Sequence, residues 1–82
     1  MKTETFGETL RNKRIKQKLT LRTFCEKSGY DTAYISRVER GIVTAPESKN
    51  GLVKLLDAYG VVEASREWNK CIELARKTLL PY

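Results

Sequence analysis

One stretch limits what this chain can fold into more than any other: Ser28-Gly29-Tyr30-Asp31-Thr32-Ala33-Tyr34-Ile35-Ser36-Arg37-Val38-Glu39-Arg40-Gly41. Gly29 can take the positive φ of a sharp turn, Asp31 can cap a new helix through its side-chain oxygen, and Gly41 can end it. Ile35 and Val38 then fall on one side of that helix, with Thr32, Ala33, Ser36, Arg37 and Arg40 on the other. Upstream, Thr20 can cap a short helix over about 20–27 that carries Leu21, Phe24 and Cys25 at i, i+3 and i+4. Any fold for this chain must therefore hold two short helices across one tight turn.

The flanking segments read as three more helices. Thr5 with Glu8 makes a reciprocal capping box that opens helix 1, expected over roughly 5–17. Phe6, Leu10 and Ile15 are its apolar anchors, while Arg11, Lys13, Arg14 and Lys16 between them read as a largely solvated face. Residues 42–51 read as a loop on the strength of Pro46, Asn50 and Gly51, although Thr44 with Glu47 also fits a capping box. Leu52, Val53, Leu55, Leu56 and Tyr59 predict a mostly buried helix 4 ended by Gly60. Helix 5 is expected from near Glu63 to about Thr78, with Trp68, Cys71, Ile72, Ala75 and Leu79 on one stripe and Leu74 and Leu80 off it. The expected fold class is all-α, a five-helix bundle in a single domain of 82 residues.

Composition narrows the chemistry. The net charge of +6 points to a polyanionic partner, nucleic acid or an acidic membrane, and residues 1–41 hold ten Lys or Arg against five acids while 42–82 hold six against five. No histidine exists, which removes zinc-finger ligation, His general-base chemistry and Ser/His or Cys/His nucleophile pairs. Cys25 and Cys71 have neither a CxxC spacing nor the density of a disulfide scaffold, and read as buried free thiols. No phosphate-binding loop, metal cluster or paired-carboxylate constellation appears, so no enzyme, cofactor or metal is expected. The polar N-terminus is followed by no long apolar run, which predicts no signal peptide, no membrane span and a cytoplasmic protein.

Two short helices joined by a glycine turn, the second showing small, polar and arginine residues outward, have the appearance of a helix-turn-helix unit at helices 2 and 3. The span from about 5 to 61 resembles the Cro and phage-repressor family of transcriptional regulators, often called the XRE type. The resemblance rests on Leu10 and Arg14, on Leu19-Thr20, on Phe24-Cys25 where the family usually shows Leu-Ala, on Gly29, on Tyr34 through Gly41, and on Leu55 to Gly60. Leu21 departs from it, standing where a glutamine is usual, and Lys18 stands where glycine is common.

The resemblance implies a lambda-repressor-like DNA-binding fold with helix 3 in the major groove. It implies base contacts from Thr32, Ala33 and Arg37, with Arg37 reading a guanine. Tyr34 is left between a base contact, a backbone contact and a packed aromatic. Thr20, Lys18, Arg22, Ser36, Arg40 and Lys49 are the candidates for phosphate contacts. Arg14 and Glu39 are implied to pair structurally, between helix 1 and the end of helix 3.

Residues 62–82 supply helix 5 and a tail whose spare apolar residues, Leu74, Leu80 and Tyr82, suggest a twofold dimer. Two recognition helices would then sit about 34 Å apart on a palindromic double-stranded operator. The expected function is a dimeric repressor of its own or a neighbouring promoter. A restriction-modification controller and an antitoxin using helix 5 for a protein partner share the fold. A protein-interaction module without specific DNA binding is the alternative from another class.

Overall fold

A computed structural model describes residues 5–79. They form an all-α chain of five helices: α1 (Phe6–Lys16), α2 (Leu21–Ser28), α3 (Thr32–Glu39), α4 (Lys49–Ala58) and α5 (Arg66–Leu79). None of these is long and apolar enough to cross a membrane. The chain divides into two compact units, Met1–Val43 and Thr44–Tyr82.

Each helix begins on a side-chain oxygen that accepts a backbone N–H three residues ahead. Thr5 takes the N–H of Glu8, Thr20 that of Thr23, Asp31 that of Tyr34, Ser48 that of Gly51 and Ser65 that of Trp68. Glu8 answers Thr5 in a full capping box. A cap of this kind contributes about 1 kcal/mol.

Three helix ends share another local device. At α3, Gly41 donates to the Val38 carbonyl and Ile42 to the Arg37 carbonyl; at α4, Gly60 donates to Asp57 and Val61 to Leu56. Both are Schellman ends, with the glycine left-handed at φ 77° and 79°. The end of α1 repeats the pattern, Lys18 donating to Ile15 and Leu19 to Arg14, but the left-handed residue is Lys18, at φ 59°. That conformation costs an L side chain about 1–2 kcal/mol, part of which glycine returns as unfolded-state entropy. Lys18→Gly is therefore expected to stabilise the protein by about 1 kcal/mol, raising Tm by about 4 °C in a thermal melt.

In the first unit α3 packs on both α1 and α2. Phe6, Leu10, Phe24, Cys25, Ile35 and Val38 are buried, and each large apolar side chain removed from water contributes about 1.5–3 kcal/mol. Ile15, expected as an anchor, is instead 48% exposed. It lies about 140° around the helix from Leu10, and the inward positions are taken by Phe6, Gly7, Leu10 and Arg14.

The second unit departs from expectation at both helix starts. α4 begins at Lys49, so Asn50 and Gly51 are its first turn rather than loop, and the capping residue is Ser48 rather than Thr44. A Cβ on Gly51 would lie 2.8 Å from the Ser48 hydroxyl oxygen, so glycine leaves room for the cap. α5 begins at Arg66 rather than near Glu63, because Ala64 is left-handed at φ 66° and Ser65 captures the Trp68 N–H. Leu55 and Leu56 of α4 and its C-cap Tyr59 are fully buried, as are Cys71, Leu74 and Ala75 of α5 in large part.

Candidate nucleic-acid interface

The eight residues of α3 are fixed at both ends by local chemistry, the Asp31 cap and the Schellman end at Gly41, and so present two unlike faces. Ile35, Val38 and Glu39 are buried. Thr32, Ala33 and Arg37 are exposed, as is Arg40 at the C-cap. The exposed set recurs at helical spacing, so a methyl, a hydroxyl and two guanidinium groups share one side. That side holds the donor and acceptor types that read base edges, and it carries none of the packing.

What holds α3 is a pair that reaches back to α1. Arg14 Nε donates to Glu39 Oε2 and Nη2 to Oε1, both at 2.9 Å, a two-pronged pair whose side chains are 11% and 4% exposed. Arg14 Nη1 donates to the Leu19 carbonyl at 2.8 Å, tying the end of α1 to the approach to α2. One guanidinium thus connects α1, α3 and the linker that leads into α2. Beside it, α1 comes so close to α3 that a Cβ on Gly7 would sit 2.3 Å from the Val38 carbonyl oxygen and 2.7 Å from that of Glu39. Gly7 escaped the sequence reading. Its signal was a glycine inside a helix, a position that costs about 1 kcal/mol unless close approach requires it.

Across the turn, Gly29 is left-handed at φ 82° and donates to the Cys25 carbonyl. Tyr30 and Tyr34 stack, with ring centroids 6.1 Å apart and planes inclined by 22°. Tyr34 is half-buried in that stack, and it lies one helical turn before the exposed Arg37. Burial raises the Tyr30 hydroxyl pKa, and Tyr34 adds to the shift. Burial also raises the Cys25 thiol, reinforced by the carboxylates of Glu39 and Asp31 and opposed by Arg14. Cys25 therefore stays a neutral packing group, not a nucleophile.

The other phosphate candidates are less uniform than the sequence implied. Thr20 is exposed, but its hydroxyl donates to Thr23 Oγ1 at 2.8 Å while accepting the Thr23 N–H. Arg22 is exposed and pairs with Glu26 at 3.1 Å, which offsets its charge locally. Lys18 is exposed at the end of α1. Ser36 and Arg40 lie together on one cleft of the first unit. Lys49 is exposed at the first position of α4, in the second unit.

Of the residues expected at a dimer contact, Leu74 is buried at 8% exposure and is not a spare surface residue. Cys71 has inward neighbours at both i+3 and i+4, so Leu74 and Ala75 share the buried face. Leu80 and Tyr82 lie outside the described residues. The half-buried apolar surface of the second unit is elsewhere: Leu52, Val53, Trp68 and Ile72 line a groove of about 420 Å³, with Glu47, Lys49 and Arg76 also along it.

A family model described as a helix-turn-helix domain matches residues 5–68 of the chain. No match was found among curated proteins or among solved structures.

Proposed function

Because the chain belongs to the helix-turn-helix domain family, we propose that it is a sequence-specific double-stranded-DNA-binding regulator of transcription, with α3 entering the major groove. The observation that carries this reading is the division of α3 into a packed face and an exposed face of Thr32, Ala33 and Arg37. Arg37 bonds O6 and N7 of one guanine, Ala33 meets a thymine methyl, and Thr32 supplies a hydroxyl. Arg40 and the exposed cations of α1 and α2 contribute charge toward phosphates.

In the finer form of the reading the protein is a cytoplasmic dimeric repressor of the Cro and phage-repressor type, bound to an inverted repeat. Occupancy of a promoter is enough to block it. Support for the dimer comes from the groove between α4 and α5, whose half-buried Trp68, Ile72, Leu52 and Val53 suit a second copy. Glu47 and Arg76 on the same groove offer opposite charges to a twofold partner.

Selection of bound duplexes from a random pool tests both levels. The expected result is an enriched half-site containing guanine, repeated with twofold symmetry at a centre-to-centre spacing near one helical turn. Arg37→Ala is expected to leave Tm unchanged and to remove about 1–3 kcal/mol of discrimination at that one guanine, measured by titrating duplexes with each base in its place. Enriched sites without symmetry would remove the dimer and leave base reading intact. A pool with no enrichment at any salt concentration would instead favour a protein-interaction module.

A further inference from the structure

The first unit contains a cleft that the base-reading face does not use. It has a volume of about 740 Å³ and is lined by Arg11 of α1, Leu21 at the start of α2, and Ser36 and Arg40 of α3, with Glu8 and the Arg14–Glu39 pair also on its wall. Its charges are of two kinds. Arg14 and Glu39 neutralise each other through two short hydrogen bonds. Glu8 is turned back on its own helix start, where its Oε1 accepts from the Thr5 hydroxyl at 3.1 Å and the Thr5 N–H at 3.4 Å. Arg11 and Arg40 are exposed, come from different helices, and neither is paired with a carboxylate among the described residues.

We propose that Arg11 and Arg40 flank a seat for one backbone phosphate of the bound duplex, which makes Arg11 a DNA-contacting residue. This rests on the reading of the protein as a DNA-binding regulator and adds to it the place where the backbone is gripped. Two guanidinium groups lining one cleft, one from α1 and one from the C-cap of α3, match a tetrahedral oxyanion with a single negative charge, since each can direct paired N–H groups at the phosphate oxygens. Ser36 adds a hydroxyl, and Leu21 gives an apolar wall that offers no competing acceptor. Arg40 lies three residues beyond Arg37 on the exposed side of α3, so the seat continues the reading face toward the backbone. A phosphate held there fixes how far α3 can advance into the groove.

The test is the salt dependence of binding by the full chain to its selected duplex and to a scrambled duplex, for wild type, Arg11→Gln, Arg11→Lys and Glu8→Gln. Loss of one phosphate contact lowers the slope of log K against log salt by about 0.9, so between about 50 and 200 mM salt Arg11→Gln should lose about 3.5-fold less affinity than wild type. The change should be the same on both duplexes, and Arg11→Lys should keep the wild-type slope. Glu8→Gln preserves the capping box and removes a negative charge from the cleft, so it should bind both duplexes more tightly, an outcome that a purely structural role for Glu8 does not give.

A wild-type slope in Arg11→Gln, with wild type itself binding normally, overturns the proposal and leaves the regulatory reading standing. A wild-type protein that binds no duplex overturns both. Titration of the protein alone with inorganic phosphate separates the two sources of the anion. Saturating shifts of the Arg11 Nε–H resonance at millimolar phosphate would reassign the seat to a free anion, and absence of such shifts supports the duplex.

Discussion

Arg14→Ala is expected to lower the unfolding free energy by about 3–5 kcal/mol, as a buried ion pair does when one partner is removed. The loss has three parts in this chain. Both Oε atoms of Glu39 lose their Arg14 donors while that residue stays 6% exposed, and the Leu19 carbonyl loses its 2.8 Å donor. A domain of this size holds only about 4–12 kcal/mol in all, so the variant should be marginal at 37 °C. Urea denaturation followed by circular dichroism measures the effect. Replacing both partners by apolar residues of similar size should cost much less than Arg14→Ala, because no charge is then stranded. An Arg14→Ala protein of wild-type stability with weakened DNA binding would show instead that the guanidinium serves the ligand.

Gly7→Ala should destabilise by about 3 kcal/mol, the upper range for overpacking, even after the roughly 1 kcal/mol that alanine gains over glycine inside a helix. The obstruction is backbone on all three counts, the Val38 oxygen, the Glu39 oxygen and the Glu39 carbonyl carbon, so no side chain can swing aside. Relief requires α1 and the end of α3 to separate, which pulls on the Arg14–Glu39 pair next to it. The variant should therefore lose specific duplex affinity under conditions where it is still folded, although Gly7 itself is buried. Gly51→Ala should cost less, about 1 kcal/mol, since its 2.8 Å obstruction is the Ser48 hydroxyl, which can rotate away at the loss of the α4 cap.

The contrast between these residues shows what could be read from the chain alone. The turn was legible because Thr20, Gly29, Asp31 and Gly41 act on their own neighbours: a cap and a left-handed residue need no tertiary partner to be recognised. The same locality misled at Asn50-Gly51, where loop-forming composition concealed a cap at Ser48, and near Glu63, where Ala64 and Ser65 delay α5 by three residues. Faces were harder. Ile15 and Leu74 were assigned to the wrong sides because an inward face is set by the neighbouring helix, and sparse apolar positions leave its direction underdetermined. Arg14–Glu39 came only through family resemblance, since a pairing across 25 residues leaves no mark in local pattern. Arg11 looked like one more solvated arginine until the fold put it on the same cleft as Arg40.

The Arg14–Glu39 pair has one further consequence. Glu39 follows Arg37 by two positions, which on an α-helix is about 200° of rotation. Fastening Glu39 to α1 therefore sets the azimuth of Arg37, while Thr32, Ala33 and Arg37 themselves bear no load. If α3 reads bases as proposed, substitutions at those three positions should change the preferred base without disturbing the bearing of the helix. Inserting a single residue between Arg37 and Glu39 should swing the same side chains through about 100° and lose every preferred base together.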